Sequence, residues 1–140
     1  MTTLMRWAPA RSLSAWDESV RDLFRGFDAA EAAWIPDADV TETRDAYAVT
    51  LDVPGVTAGD LTLSVEDGIL RVQGTRRAPD AAETKAYLVE RSYGSFDRAF
   101  RLPGTVDAEQ VKAAFKDGVL TITLPKRAEA KSRRIEIASA

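Results

Sequence analysis

Apolar and polar side chains alternate along most of the middle of the chain with the period of two that marks a strand buried on one face. In YAVTLDV, Tyr47, Val49, Leu51 and Val53 fall on one side and Ala48, Thr50 and Asp52 on the other. PGVTAGD then interrupts the pattern with Pro54 and Gly55, residues suited to a turn. Alternation resumes in LTLSV, where Leu61, Leu63 and Val65 share a side. Glu66-Asp67-Gly68 supplies an acidic-glycine turn, and ILRVQG follows as the second arm of a hairpin. SFDRAFRLP, VKAAF, KDG and VLTITLP repeat the scheme, with Leu120, Ile122 and Leu124 on one face of the last strand. Short alternating strands separated by turn signals predict an all-β, antiparallel sandwich rather than βαβ units. DAEQVKAAFK contains good helix formers. The spacing nevertheless reads as a loop leading into a short strand.

The first 34 residues change period. In SAWDESVRDLFRGF, Trp16, Val20, Leu23, Phe24 and Phe27 recur at helical spacing and form one apolar stripe. Ser14, with Asp17 three residues on, resembles a capping box at its start. This amphipathic helix precedes the sandwich and is not needed to complete it. It serves either as a packing or swapping element of the protein itself or, together with Trp7, as an adhesive arm.

Composition narrows the chemistry. Of 140 residues, 45% are hydrophobic and 29% charged, an ordinary globular balance, and the net charge of -3 argues against nucleic acid as the main partner. Residues 35–125 hold 15 acidic and 10 basic side chains, whereas residues 126–140 hold five basic and two acidic ones. KRAEAKSRR is basic but short, with no aromatics interleaved for base stacking. No apolar run approaches the roughly 20 residues of a membrane helix. MTTLMRWAPARSLSAW lacks the apolar stretch of a signal peptide, so a cytoplasmic protein is expected. Cys and His are both absent, which removes thiol nucleophiles, histidine bases and the zinc sites built from them. Carboxylate pairs are the remaining catalytic candidates: Glu66 with Asp67, and Asp37, Asp39 and Glu42. They fall in turns or on polar strand faces, where acidic groups are ordinarily solvated. GVTAGD lacks the spacing and the lysine of a phosphate-binding loop. Neither an enzyme nor a cofactor is therefore expected.

Three motifs in order carry a family resemblance. AAFKDGVL, Ala113 to Leu120, is followed by TITLPK; FDRAFRLP, Phe96 to Pro103, is preceded by VERSYGS; and Ile135-Glu136-Ile137 stands near the end. Together with DVTETRDAYAVTLDVPGV, they make the chain resemble the bacterial type of small heat shock protein, the α-crystallin-domain family, over nearly its full length. Asp117 stands where the family usually has Asn, and it suits the same turn before Gly118. The resemblance implies an immunoglobulin-like sandwich over 35–126, a helical arm over 1–34 and an extended tail over 127–140. It also implies stress-related chaperoning without ATP: holding unfolding client proteins until ATP-dependent chaperones act on them.

Site residues follow from the same resemblance. Ile135 and Ile137 become an anchor that enters an apolar groove on a neighbouring subunit, lined by Leu61, Leu63, Val65, Val111, Ala113 and Phe115. The polar connection TRRAPDAAETKAYLVERS would carry a strand near Thr84 to Val89 that crosses to the partner's Ala38 to Thr43. Val40, Tyr87 and Val89 then belong to the dimer interface of a homo-oligomer. Alternation puts Arg98 on the side of Phe96 and Phe100, where an arginine needs carboxylate partners; the resemblance makes it structural, near that interface. Trp7, Trp16, Val20, Leu23, Phe24 and Phe27 would meet clients. A co-chaperone-like sandwich binding one defined partner is the alternative; such domains lack the terminal I-x-I and the long crossing loop.

Overall fold

The computed structural model describes residues 26–28, 33–130 and 134–139. Eight strands are present among them: β1 Gly26–Asp28, β2 Ala38–Glu42, β3 Ala46–Asp52, β4 Leu61–Glu66, β5 Ile69–Arg76, β6 Gly94–Arg101, β7 Lys112–Lys116 and β8 Val119–Pro125. They form two four-stranded sheets in the orders β1-β6-β5-β4 and β2-β3-β8-β7. Every neighbouring pair is antiparallel. Among the described residues no helix is long and apolar enough to cross a membrane.

The period-two pattern dictates the layers. Val49 and Leu51 of β3 and Leu120, Ile122 and Leu124 of β8 point inward from one sheet. Leu70 and Val72 of β5 and Phe96 and Phe100 of β6 meet them from the other, in a single buried cluster. Burying each such side chain stabilises the fold by about 1.5–3 kcal/mol.

Two hairpins use the turn chemistry visible in the sequence. Asp67 and Gly68 have φ of 51° and 73°, and Asp117 and Gly118 have 52° and 76°. Positive φ at both central residues is what a type I′ turn requires, and its twist matches the flanking strands. Asp117 thus does what an asparagine would do there. DAEQ forms a 3-10 turn, Ala108–Gln110, in which Asp107 Oδ1 accepts from the Glu109 N–H at 3.1 Å, and the chain then enters β7.

The apolar stripe of residues 16–27 is interrupted at its end. Gly26–Asp28 is strand rather than helix, with Phe27 opposite Ala99 on the outer edge of β6. Backbone groups along that edge would otherwise lack a ladder partner, and Gly26 weakens a helix there. Trp7, Trp16, Val20, Leu23 and Phe24 lie outside the described residues.

Candidate interaction surfaces

Pro36, just before β2, accepts a hydrogen bond from Arg98 Nη1 of β6 at 2.8 Å. The β2 flank of one sheet therefore lies against the β1–β6 flank of the other. That leaves β4 and β7 together at the opposite flank, each bonded to a single neighbour. Residues directly opposite in an antiparallel pair share a face. Leu63 opposes buried Val72, Val65 opposes buried Leu70, Ala113 opposes buried Ile122 and Phe115 opposes buried Leu120. Leu61, Leu63, Val65, Val111 and Phe115 are half-buried against the core. Ala113 faces the same way and is exposed. Six residues separated in sequence thus converge on one apolar flank, open at the middle of β7.

The tail leaves the opposite end of β8 and is fastened before it departs. Lys126 N–H donates to the Asp45 carbonyl at 2.8 Å and Arg127 N–H to the Thr105 carbonyl at 2.7 Å. Lys126 Nζ reaches Glu42 Oε1 at 2.6 Å and lies 4.9 Å from the Tyr47 ring centroid. After a 3-10 turn, Ala128–Ala130, residues 134–139 form neither helix nor strand, with Ile135 76% and Ile137 94% exposed. Neither isoleucine touches the groove of its own chain in a way that hides it from water.

β2 is another sheet edge: among the described residues it pairs with β3 alone, with Val40 opposite Val49, and Val40 is exposed. The 77–93 connection forms no strand here, and Tyr87, Leu88 and Val89 project from it, Tyr87 being 88% exposed. Arg98 is half-buried between Phe96 and Phe100, as alternation predicts. Besides the Pro36 carbonyl, it meets the face of Phe100, with Cζ 5.0 Å from the ring centroid. A backbone carbonyl and an aromatic face thus contribute to holding this cation.

The carboxylates are scattered. Glu66 and Asp67 sit at the tip of the β4–β5 hairpin, Asp39 and Glu42 lie along β2 and Asp37 just precedes it, and among the described residues no acidic group clusters to hold a metal. Asp60 has its carboxyl held below the usual range, chiefly by the hydrogen bond from Arg77 and then by that from Thr57. That contact is an exposed tie between the turn before β4 and the start of the 77–93 connection.

Sequence reasoning missed Arg76 and gave Trp34 no structural role. Arg76 shares inward parity with Leu70 and Val72, the same signal that singled out Arg98. Trp34 packs edge-on against Phe96, with centroids 5.0 Å apart.

Residues 39–138 match the Hsp20/alpha crystallin family. Spore protein SP21 of Stigmatella aurantiaca is 44% identical over 76% of this chain and 64% of its own length. Small heat shock protein C4 of Rickettsia felis is 37% identical over 73% and 63%. The chain spans just under two thirds of these two relatives. The 17.8 kDa class I heat shock protein of Arabidopsis thaliana is 36% identical over 87% of this chain and 80% of that one. Among solved structures, a small heat-shock protein from Xylella fastidiosa superimposes with a TM-score of 0.65 at 34% identity, covering 77% of this chain and all of that one. Heat shock protein 16.0 from Schizosaccharomyces pombe gives 0.65 at 29% identity over 76% and 99%. With the paired sheets, the two Asp-Gly hairpins and the terminal Ile-Glu-Ile, the match over 39–138 makes this chain a member of the Hsp20/alpha crystallin family, whose small heat shock proteins are chaperones and not enzymes.

Proposed function

We propose that this protein is an ATP-independent holdase that keeps partly unfolded proteins from aggregating. One observation supports the reading: a single chain bears both an exposed pair of isoleucines, Ile135 and Ile137, and a partly open apolar flank along β4 and β7. In an extended tail, Ile135 and Ile137 point the same way and Glu136 the other, so two apolar knobs present themselves together. Docked on Leu61, Leu63, Val65, Val111, Ala113 and Phe115 of a neighbour, they cover the flank; undocked, they leave it for apolar segments of a client. Heating exposes such segments, which otherwise pair with one another.

Assembly follows the same logic. The segment Thr84 to Val89 adds to the free edge of a partner's β2, across Ala38 to Thr43, bringing Tyr87 and Val89 against Val40 and the Arg98 region. The arm, through Trp7, Trp16, Val20, Leu23, Phe24 and Phe27, offers large apolar side chains whose contacts do not require one client shape. Release and refolding then fall to ATP-dependent chaperones.

The test is turbidity of a heat-labile enzyme, warmed with and without this protein and without nucleotide. Suppression at near-stoichiometric ratio is expected. Undiminished aggregation beside a folded sandwich would favour a module that binds one defined partner.

A further inference from the structure

One guanidinium gathers both roots of the 77–93 connection. Arg76, the last residue of β5, donates from Nη1 to the Ser92 carbonyl at 3.0 Å, joining the start of the connection to its end. Its Nε–H reaches the Pro54 carbonyl at 2.8 Å, in the turn after β3. Its face lies on Trp34, with Cζ 3.8 Å from the ring centroid. Trp34 donates its indole N–H to the Gly94 carbonyl at 2.9 Å, and Ala33 N–H donates to the Ser95 carbonyl, also at 2.9 Å. Gly94 permits this close approach: its φ is 106°, and a Cβ there would stand 2.8 Å from the Ala33 Cβ.

Arginine suits this position in a way lysine does not. A planar guanidinium can stack on an indole with its face while its edge donates to two carbonyls. Two hydrogen bonds and one stacking contact serve three different segments: the turn after β3, the end of the loop, and the stretch that leads into β2. Trp34 completes the circuit by bonding Gly94, where β6 begins.

We propose that Trp34 and Arg76 form a clasp that couples the segment preceding the sandwich to the loop bearing Tyr87, Leu88 and Val89, so that drawing Trp34 away loosens both roots of the loop. The proposal takes the holdase reading for its consequence: residues before Trp34 meet clients, so client capture is transmitted to the loop that exchanges between subunits. Transmission needs no nucleotide. It is also reciprocal, since a loop committed to a partner's sheet makes Trp34 harder to withdraw.

The test uses Trp34→Phe, Arg76→Lys and the double variant in the full chain, with Arg77→Gln as control. Trp34→Phe loses the indole N–H, Arg76→Lys loses the planar fork, and both keep bulk or charge so that the sandwich still folds. Arg77, the first residue of the same loop, is tied to the turn before β4 by its exposed pair with Asp60, 2.6 Å away. Hydrogen exchange is followed at amides of residues 74–76 and 94–96, where the β5–β6 ladder meets the loop. Each single variant should speed exchange there about tenfold, the double no more than either alone, and Arg77→Gln not at all. Adding a reduced, permanently unfolded protein should speed the same amides in the parent but not in the double variant. Additive effects, or a parent whose ladder end ignores the unfolded protein, would overturn the clasp. Rates of subunit exchange between isotopically light and heavy populations are measured in parallel. A parent that is monomeric there would sink the strand-exchange reading, while the ladder-end amides still decide the clasp.

Discussion

Gly74 and Phe96 stand opposite each other across β5 and β6, and the glycine is what lets the ring lie flat over the neighbouring strand. A Cβ on Gly74 would fall 2.6 Å from the Phe96 ring and 3.0 Å from Leu61 Cδ2. Gly74→Ala should therefore lower stability by about 1–3 kcal/mol, the usual range for overpacking a tight core. Urea melts of Gly74→Ala, Phe96→Leu and the double variant check the cause: the double should be less destabilised than the sum, because the smaller side chain makes room. Strict additivity would place the damage in the backbone instead. The sequence marks such residues unevenly. Parity alone shows that Arg76 and Arg98 point toward apolar surface. Their partners at Pro36, Pro54 and Ser92 are backbone carbonyls, which carry no residue-type signature and are brought near only by the fold.

Strands with a full period were legible, and strands without one were not. β3, β5 and β8 each show at least two inward apolar residues at alternate positions, and Asp-Gly at positive φ sets two hairpins. β1 has three residues, too few to display any period, and Phe27 also completes a helical stripe in the sequence; pairing with β6 decides between them. The alternation of Leu61, Leu63 and Val65 on β4 was legible, whereas its meeting with Ala113 and Phe115 of β7 on one flank depends on how the sheets stack. At the same scale, the 77–93 connection carries three exposed apolar residues, Tyr87, Leu88 and Val89, outside the buried core. Replacing Tyr87 and Val89 by Asp should leave the melting of the sandwich nearly unchanged, within roughly 0.5 kcal/mol, as exposed substitutions do. It should nevertheless reduce the mass in solution to that of a monomer, because two charges would then face a partner's β2 edge. Light scattering beside a thermal melt separates the outcomes. A dimer that survives both substitutions would rule out this loop as the crossing strand.

For the proposed assembly, the question is whether an anchor of two isoleucines suffices. Docked on a neighbour, each would bury surface worth about 1.5–3 kcal/mol, and much of that would be offset by the freedom lost on association. One docked tail is then weak, on the order of the 4 kcal/mol that corresponds to millimolar binding. Linked subunits change the arithmetic, since after the first contact each further tail docks at high effective concentration. An assembly so built is sensitive: modest warming or dilution undocks many weak contacts together and uncovers the flanks between β4 and β7. Because the root of the tail is pinned at Lys126 and Arg127, the proposed undocking would stay local and leave β8 undisturbed. Ile135→Ala with Ile137→Ala should reduce the parent assembly to its smallest building block at every concentration tested. Ile137→Ala alone should give a mass that falls more steeply on dilution than the parent's. The sandwich, whose core neither isoleucine enters, should melt as before. If scattering shows the same mass for parent and double variant across a hundredfold dilution, the tail is no anchor, and the open flank must be covered by something else. If the double variant is small yet still suppresses turbidity, assembly stores the apolar flank and the dissociated form is the one that holds clients.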